Sequence, residues 1–355
     1  MIVLILLLVA LGLVLLEKKW AQYATDALQF RQSCDHHLAE PEQIITCLAT
    51  VENHSKLPVP FVRLSMDFPK EAKTVADRRW WNAHCREKVL SWYAEFRMTL
   101  GARQRLTRTV EISVQQRGVY NVGTYQLSVG DLLGFRERKR VGTGQKIVVM
   151  PSRSQQQKAV DAVGGFLGDV SVRRFILEDP ILTVGFRDYT GREPMRAISW
   201  TRTAQMGSLC VRQYDHTAEH HVVVLLDTEN AKEELFEECL RLTRTVCEYL
   251  EQKKIAYGFS TNGNLPGPVG NVQTMEEGLG ERHLNTILYG LGCADETCFF
   301  SFEYLTAQVL KKRKGNESYI VITSGQNPHS QACIRQLSNA VGNPVCVLTA
   351  CEEGE

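Results

Sequence analysis

Asp227 closes the apolar run His221 to Leu226 and is followed by Thr228-Glu229-Asn230-Ala231, a short polar step into a helix-forming stretch. A carboxylate at the carboxyl end of a buried strand stands where α/β sheets place their ligands. Two roles suit it. It can accept N–H groups at the start of the following helix and meet the positive end of that helix dipole. It can also give one oxygen to an octahedral Mg²⁺ site. The second role needs more oxygens at fixed distances, and only Asp227 fits it cleanly; Glu229 and Ser324 (in Val321-Ile322-Thr323-Ser324-Gly325) are weak companions. Asp227 is therefore a weak metal candidate, and no cofactor is expected.

A second group of chemistry-bearing residues lies upstream: Phe186-Arg187-Asp188-Tyr189, then Pro194-Met195-Arg196-Ala197-Ile198-Ser199-Trp200, Ala204 and Leu209-Cys210-Val211-Arg212. Arginine suits bidentate or stacked partners. Arg187, Arg196 and Arg212 can pair with Asp188, Glu193 or Asp215, while Tyr189 and Trp200 supply rigid apolar faces. Such a block is either a fixed ion-pair network or a partner-binding surface. No nucleophile–base pair accompanies it, so no catalytic residue and no enzyme activity are expected.

Other constellations are weaker. His216, His220 and His221 cluster without a Cys or carboxylate at zinc-like spacing. Gly164-Gly165-Phe166-Leu167-Gly168 lacks the strand–helix setting of a phosphate loop. Cys293-x-x-x-x-Cys298 is not a redox C-x-x-C pair. The basic runs Arg136–Arg140 and Lys311–Lys314 read as solvated faces, and Trp80-Trp81 reads as packing. With 44% apolar residues, 23% charged residues and a net charge of +1, nothing points to nucleic acid as a partner.

The elements that position these residues follow from periodicity. Residues 21–151 hold short alternating runs, such as Gln43–Val51, Phe61–Phe68, Thr109–Gln115, Tyr125–Gly130 and Lys146–Met150, punctuated by Gly, Pro and Asn; only Asp77–Ser91 has a helical pattern. A small antiparallel β-sandwich-like domain is expected there. Residues 152–219 read as a linker followed by the arginine–aromatic block. From 220 to 355 apolar strands alternate with helices: strands at His221–Leu226, Ile255–Ser260, Tyr319–Thr323 and Pro344–Leu348, with a long helix over Ala231–Gln252. That grammar predicts a doubly wound α/β sheet. Ahead of all this, Met1–Leu16 is an uncharged apolar run followed by Lys18-Lys19 and Trp20. Residues 1–20 are expected to form a single transmembrane helix, and the flanking lysines place the rest of the chain in the cytoplasm of the cell. The 11 cysteines, odd in number and irregularly spaced, suit a reducing compartment.

Taken with Arg117-Gly118-Val119-Tyr120 and Asp131-Leu132-Leu133-Gly134-Phe135, the block from Phe186 to Arg212 resembles the domain of unknown function 58 family, with Arg192-Glu193 and Ala204-Gln205 departing from its pattern. The resemblance implies a membrane-anchored protein ending in a degenerate von Willebrand factor A-like domain. In A-like domains the Asp227 position opens a D-x-S-x-S metal loop, and here Glu229 and Ala231 replace the two serines. The family resemblance also implies partnership with a MoxR-type AAA+ ATPase. The expectation is thus an α+β multidomain, non-enzymatic interaction or scaffold protein of bacterial type, binding a protein partner through residues drawn from Asp227, Glu229, Ser324, Arg187, Asp188, Tyr189, Arg196 and Trp200. The alternative is an outward-facing, Mg-dependent adhesion or binding domain.

Overall fold

The computed structural model describes residues 12, 26–130, 137–174, 183–191, 193, 195–214, 221–268, 270–313, 317–325, 328–341 and 345–351. It divides into two compact units, residues 1–152 with 291–293, and residues 153–290 with 294–355.

The first unit is built from β1 (Leu28–Cys34), β2 (Leu38–Ala39), β3 (Ile44–Asn53), β4 (Val59–Pro69), β5 (Ala72–Thr74), α1 (Arg78–His84), β6 (Cys85–Glu87), β7 (Ser91–Leu100), β8 (Arg105–Val114), β9 (Gly118–Val122), β10 (Thr124–Gly130), β11 (Glu137–Gly142) and β12 (Gln145–Val149). These form sheets ordered β1-β3-β8-β5, β11-β10-β4-β7-β6 and β2-β12-β9. Every pairing except β2 with β12 is antiparallel. Strand alternation makes the core. Val62, Leu64, Met66 and Phe68 on β4, Trp92, Ala94 and Phe96 on β7, and Val110, Ile112 and Val114 on β8 turn inward, and polar residues between them face out. Trp92 stacks on Phe68 with ring centroids 4.6 Å apart, and its indole N–H donates to the Ala72 carbonyl at 2.6 Å. Trp80 and Trp81 pack against this core, Trp81 lying 5.1 Å from Trp92. The expected helix at Asp77–Ser91 is cut short. Asp77 accepts the Trp80 N–H as its N-cap, and the chain leaves the helix at Cys85 to run along β7.

The second unit contains α2 (Gln157–Arg174), β13 (Thr183–Asp188), a 3-10 turn (Met195–Ala197), α3 (Trp200–Met206), β14 (Cys210–Tyr214), β15 (His221–Leu226), α4 (Glu233–Gln252), β16 (Tyr257–Thr261), β17 (Gly263–Asn264), β18 (Pro266–Gly267), β19 (Gly270–Asn271), β20 (Thr274–Gly278), α5 (Glu281–Cys293), β21 (Asp295–Cys298), α6 (Phe302–Lys312), β22 (Glu317–Thr323), α7 (Pro328–Val341) and β23 (Val345–Thr349). Its main sheet is ordered β20-β16-β15-β22-β23, parallel except at the edge, where β20 runs antiparallel to β16. Leu225, Tyr319 and Val321 pack with Phe302 and Leu305 of α6 and Cys333 and Leu337 of α7. Along α4, Leu235, Phe236, Cys239, Leu240, Leu242, Val246, Cys247 and Leu250 form the apolar face expected of an amphipathic helix. Arg244, also buried there, forms an ion pair with Glu248 at 2.7 Å, and Arg153 meets the same carboxylate at 2.6 Å.

Three expectations are corrected. The transmembrane run Met1–Leu16 lies outside the described residues except for Gly12, and among the described residues no helix is long and apolar enough to cross a membrane. A single-pass placement in the cell membrane, with the bulk of the chain cytoplasmic, therefore has no support. The expected class, an α+β chain with a membrane helix, a β-sandwich-like domain and a doubly wound von Willebrand factor A-like domain, is replaced by a mostly β chain, with 44% strand against 31% helix and seven helices among the described residues. The physical reason is the strand-rich first unit, where twelve strands accompany the short helix α1 among the described residues of 26–152, together with the antiparallel edge of the second sheet. Finally, the stretch read as a linker is helical from Gln157.

Candidate functional site

Asp227 follows directly on β15, and its backbone N–H donates to the Ile322 carbonyl at 2.8 Å, continuing the ladder to β22. Its carboxylate is 1% exposed and meets four donors. Oδ1 accepts the Glu229 N–H at 3.0 Å and the Asn262 amide at 2.9 Å. Oδ2 accepts the Thr323 hydroxyl at 3.1 Å and the Ser330 hydroxyl at 2.7 Å. Four segments thus converge on one carboxyl group: the ends of β15 and β22, the loop after β16, and the first turn of α7. Asn262 extends the network by accepting the Thr228 N–H at 2.9 Å and the Thr228 hydroxyl at 3.2 Å. Burial pushes the Asp227 carboxyl above its ordinary value, and the hydrogen bonds from Ser330, Glu229, Asn262 and Thr323 oppose that push.

The capping role expected of Asp227 takes another form. Helix α4 begins at Glu233 with Lys232 as its N-cap, so Asp227 satisfies its own turn rather than the helix. Glu229 is the residue that serves a helix. Its Oε2 accepts the Phe302 N–H at 2.8 Å, placing a carboxylate at the positive end of α6. Ser324 is buried, and its hydroxyl has no hydrogen-bond partner among the described residues. A Mg²⁺ ion does not fit this arrangement. Each Asp227 oxygen already holds two protein donors, and Glu229 is turned to Phe302. Among the described residues no group of three or more His, Cys, Asp or Glu stands ready to hold a metal.

The arginine–aromatic block has the opposite character. Strands β13 and β14 pair as a two-stranded ribbon, with Phe186 opposite Arg212 and Arg187 opposite Val211. The 3-10 turn and α3 are tied back to it by Ser199 N–H to Cys210 O at 2.9 Å and Cys210 N–H to the Thr203 hydroxyl at 3.1 Å. Arg187 forms an ion pair with Glu193 at 2.6 Å, leaving Asp188 out of that pair. The Thr190 hydroxyl and N–H also donate to Glu193, at 2.8 and 3.1 Å. Led by the Thr190 hydroxyl, these bonds bring the Glu193 carboxyl down to about 2. Asp215 lies outside the described residues. Around this frame the large apolar side chains point outward: Trp200 is 60% exposed, Met195 69% and Met206 66%, with Phe186 and Leu209 also exposed. Arg196 is exposed on the 3-10 turn, and Arg202 stacks over the Phe186 ring at 5.0 Å.

Sequence reasoning missed Ser330, which lies 103 residues beyond Asp227 with no local signal for the contact. It also missed Thr190, Arg202 and the exposure of Met206. Of the histidines, His216 and His220 lie outside the described residues, while His221 pairs with Glu277. These two residues line a cavity of about 210 Å³, with Lys312 and Glu317, at the opposite end of β15 from Asp227.

No family model matches the chain, and no curated protein matches it. Among solved structures it is similar to the CARDB domain of PF1109 from Pyrococcus furiosus, crystallised in complex with di-metal ions, at 14% identity and TM-score 0.24, covering 34% of this chain and 91% of that one. It is also similar to trypsin-activated alpha-2-macroglobulin from Escherichia coli (12% identity, TM-score 0.26, 36% of this chain and 7% of that one). A third similar structure is AvmM, which catalyzes macrocyclization in alchivemycin A biosynthesis (10% identity, TM-score 0.25, 36% and 92%). The expected von Willebrand factor A and domain of unknown function 58 labels are not met by these structures, which are CARDB and macroglobulin domains and a macrocyclization catalyst. Likenesses this slight carry no argument about activity.

Proposed function

We propose that this protein is a non-enzymatic binding protein and that residues 183–214 form its partner surface. The observation that carries the reading is the outward display of Trp200, Met195, Met206 and Phe186 on a hydrogen-bonded frame, beside Arg187, Arg196 and Arg202. Tryptophan, methionine and arginine are the side chains enriched at protein interfaces, and Trp and Arg dominate binding hot spots. The Asp227 network takes no direct part in contact, because Asp227, Thr228, Asn262 and Ser324 are all buried. Its role is to hold the ends of the parallel strands.

The partner suggested by the resemblance of the Phe186–Arg212 block to the domain of unknown function 58 family is a MoxR-type AAA+ ATPase. The exposed arginines call for an acidic rim around an apolar seat on that partner. The experiment is a titration of the full chain against such an ATPase from the same cell. Trp200→Ala is expected to weaken binding at least tenfold, and Arg196→Glu to weaken it further at low salt than at high salt. Wild-type affinity in both variants would sink the assignment of this surface.

A further inference from the structure

Cys34 ends β1 and Cys47 lies directly opposite it on β3. The ladder around them identifies the kind of pairing. Asp35 N–H donates to Thr46 O at 3.2 Å, so the next rung is the hydrogen-bonded one. The Cys34 N–H is taken instead by the Gln145 side-chain oxygen at 2.7 Å. Cys34 and Cys47 are therefore a non-hydrogen-bonded cross-strand pair, the position where Cα atoms approach to about 4.5 Å and side chains come nearest. That separation falls within the range a disulfide spans. The two sulfurs stand 3.0 Å apart.

We propose that Cys34 and Cys47 are a reversible dithiol–disulfide site, oxidised by a small disulfide of the glutathione class. Access runs through Cys34. It lies on the edge strand of its sheet and is 9% exposed, whereas Cys47 is fully buried on the second strand. The hydrogen bond from Cys47 holds the Cys34 thiol below its ordinary value, and the same bond together with burial pushes Cys47 up. Cys34 is thus the attacking thiol. Its thiolate displaces one glutathione thiolate from glutathione disulfide, giving a mixed disulfide at Cys34. The Cys47 sulfur then attacks the Cys34 sulfur and expels the second glutathione thiolate, which takes up the Cys47 proton. Two protein thiols and one glutathione disulfide become one protein disulfide and two glutathione thiols.

The link would close the segment that carries β2, which is held to β12 by the Val148 N–H to His37 O bond at 2.9 Å. Oxidation is expected to lock this segment and raise the melting temperature by several degrees.

The test uses the full chain, reduced and then equilibrated in glutathione buffers from reducing to oxidising, acid-quenched, denatured and alkylated. Trypsin releases Gln32 to Lys56 as one peptide, because no Lys or Arg lies between Arg31 and Lys56. In oxidising buffer this peptide is expected to lack both alkyl groups and two hydrogens, and to regain both alkyl groups after reduction. A peptide that stays doubly alkylated would overturn the proposal, as would one that stops at a glutathione adduct. The accompanying rise in melting temperature should vanish in Cys34→Ser and in Cys47→Ser. If either variant folds poorly, the wild-type peptide still decides the matter.

Discussion

Asn262 serves Asp227 and Thr228 at once: its amide nitrogen donates to the Asp227 carboxylate at 2.9 Å, and its amide oxygen accepts the Thr228 N–H at 2.9 Å. One side chain in the loop after β16 therefore fixes both the carboxylate that follows β15 and the first donor of the turn. The network is closed on itself, and its energetic consequences can be measured residue by residue.

Removing the acceptor should be costly. Asp227→Ala takes away the acceptor that the Ser330 and Thr323 hydroxyls, the Asn262 amide nitrogen and the Glu229 N–H all donate to. A loss of about 3–5 kcal/mol is expected, read from urea denaturation. A loss below about 1 kcal/mol would mean that water replaces the carboxylate.

The same carboxyl should leave a mark on the pH dependence. Its folded pKa is raised above the ordinary 3.8 by burial, so the folded chain binds this proton more tightly than the unfolded chain does. The contribution is therefore fully present below 3.8 and is lost as pH rises toward the folded value. The difference in urea midpoint between wild type and Asp227→Asn should fall steadily from pH 4 upward. A difference that is flat with pH would show that the four hydrogen bonds cancel the burial.

Gly263 offers a way to disturb the network without substituting any of its polar residues. A Cβ there would come within 2.7 Å of the Thr228 hydroxyl oxygen. Gly263→Ala is expected to cost about 1–3 kcal/mol, the usual range for overpacking a filled site. Combined with Thr228→Ser, which removes the methyl group 3.1 Å from that Cβ but keeps the hydroxyl, the cost should shrink only in part.

Arg244 is buried on α4 against Glu248, which also meets Arg153. Arg244→Ala should destabilise by roughly 2–4 kcal/mol, and Arg244→Met by less, because the apolar stem still fills the space while Glu248 keeps Arg153. Equal losses in the two variants would show that charge rather than volume sets the cost.

In the exposed block, Glu193 reports its own environment. Its pKa, lowered from 4.5 to about 2, means that its contribution to holding the loop is present above 4.5 and is lost as pH falls toward about 2. The Thr190 amide resonance should titrate with that low midpoint. Thr190→Val removes the strongest donor and should move the midpoint up toward 4.5.

Sequence legibility differed sharply between segments. The runs HVVVLL and YIVIT are β-branched and apolar on both sides, and they form β15 and the core of β22 as their composition requires. The long helix over Ala231–Gln252 starts at Glu233, a difference of two residues. By contrast, Gly164, Gly165 and Gly168 weaken any local helix signal in residues 157–174. That helix is rescued by packing, since Ala159, Val160 and Val163 lie along a small cavity with Leu242, Val246 and Tyr249 of α4. Strand β7 alternates cleanly, but its first residue overlaps a stretch whose Arg-Arg-Trp-Trp start reads as a helix. At the site, Asp227 was legible from its place after an apolar strand, but its donors were not. Thr323 and Ser330 reach it only because β22 and α7 return to the same end of the sheet. The exposure of Trp200 and Met206 was equally hidden, since composition does not say which face of a seven-residue helix is covered.

The register of β15 against β22 also bears on how the chain is made. His221 pairs with Glu317, 96 residues later. At about 5–20 residues per second, a ribosome takes on the order of 5–20 seconds to supply the second partner. During that interval the nascent strand HVVVLL can pair with β16 on one side only, and its other edge stands open to any neighbouring chain. Synthesis of this protein thus creates a timed need for protection, and its yield should depend more on chaperone supply and elongation speed than on the stability of the finished fold.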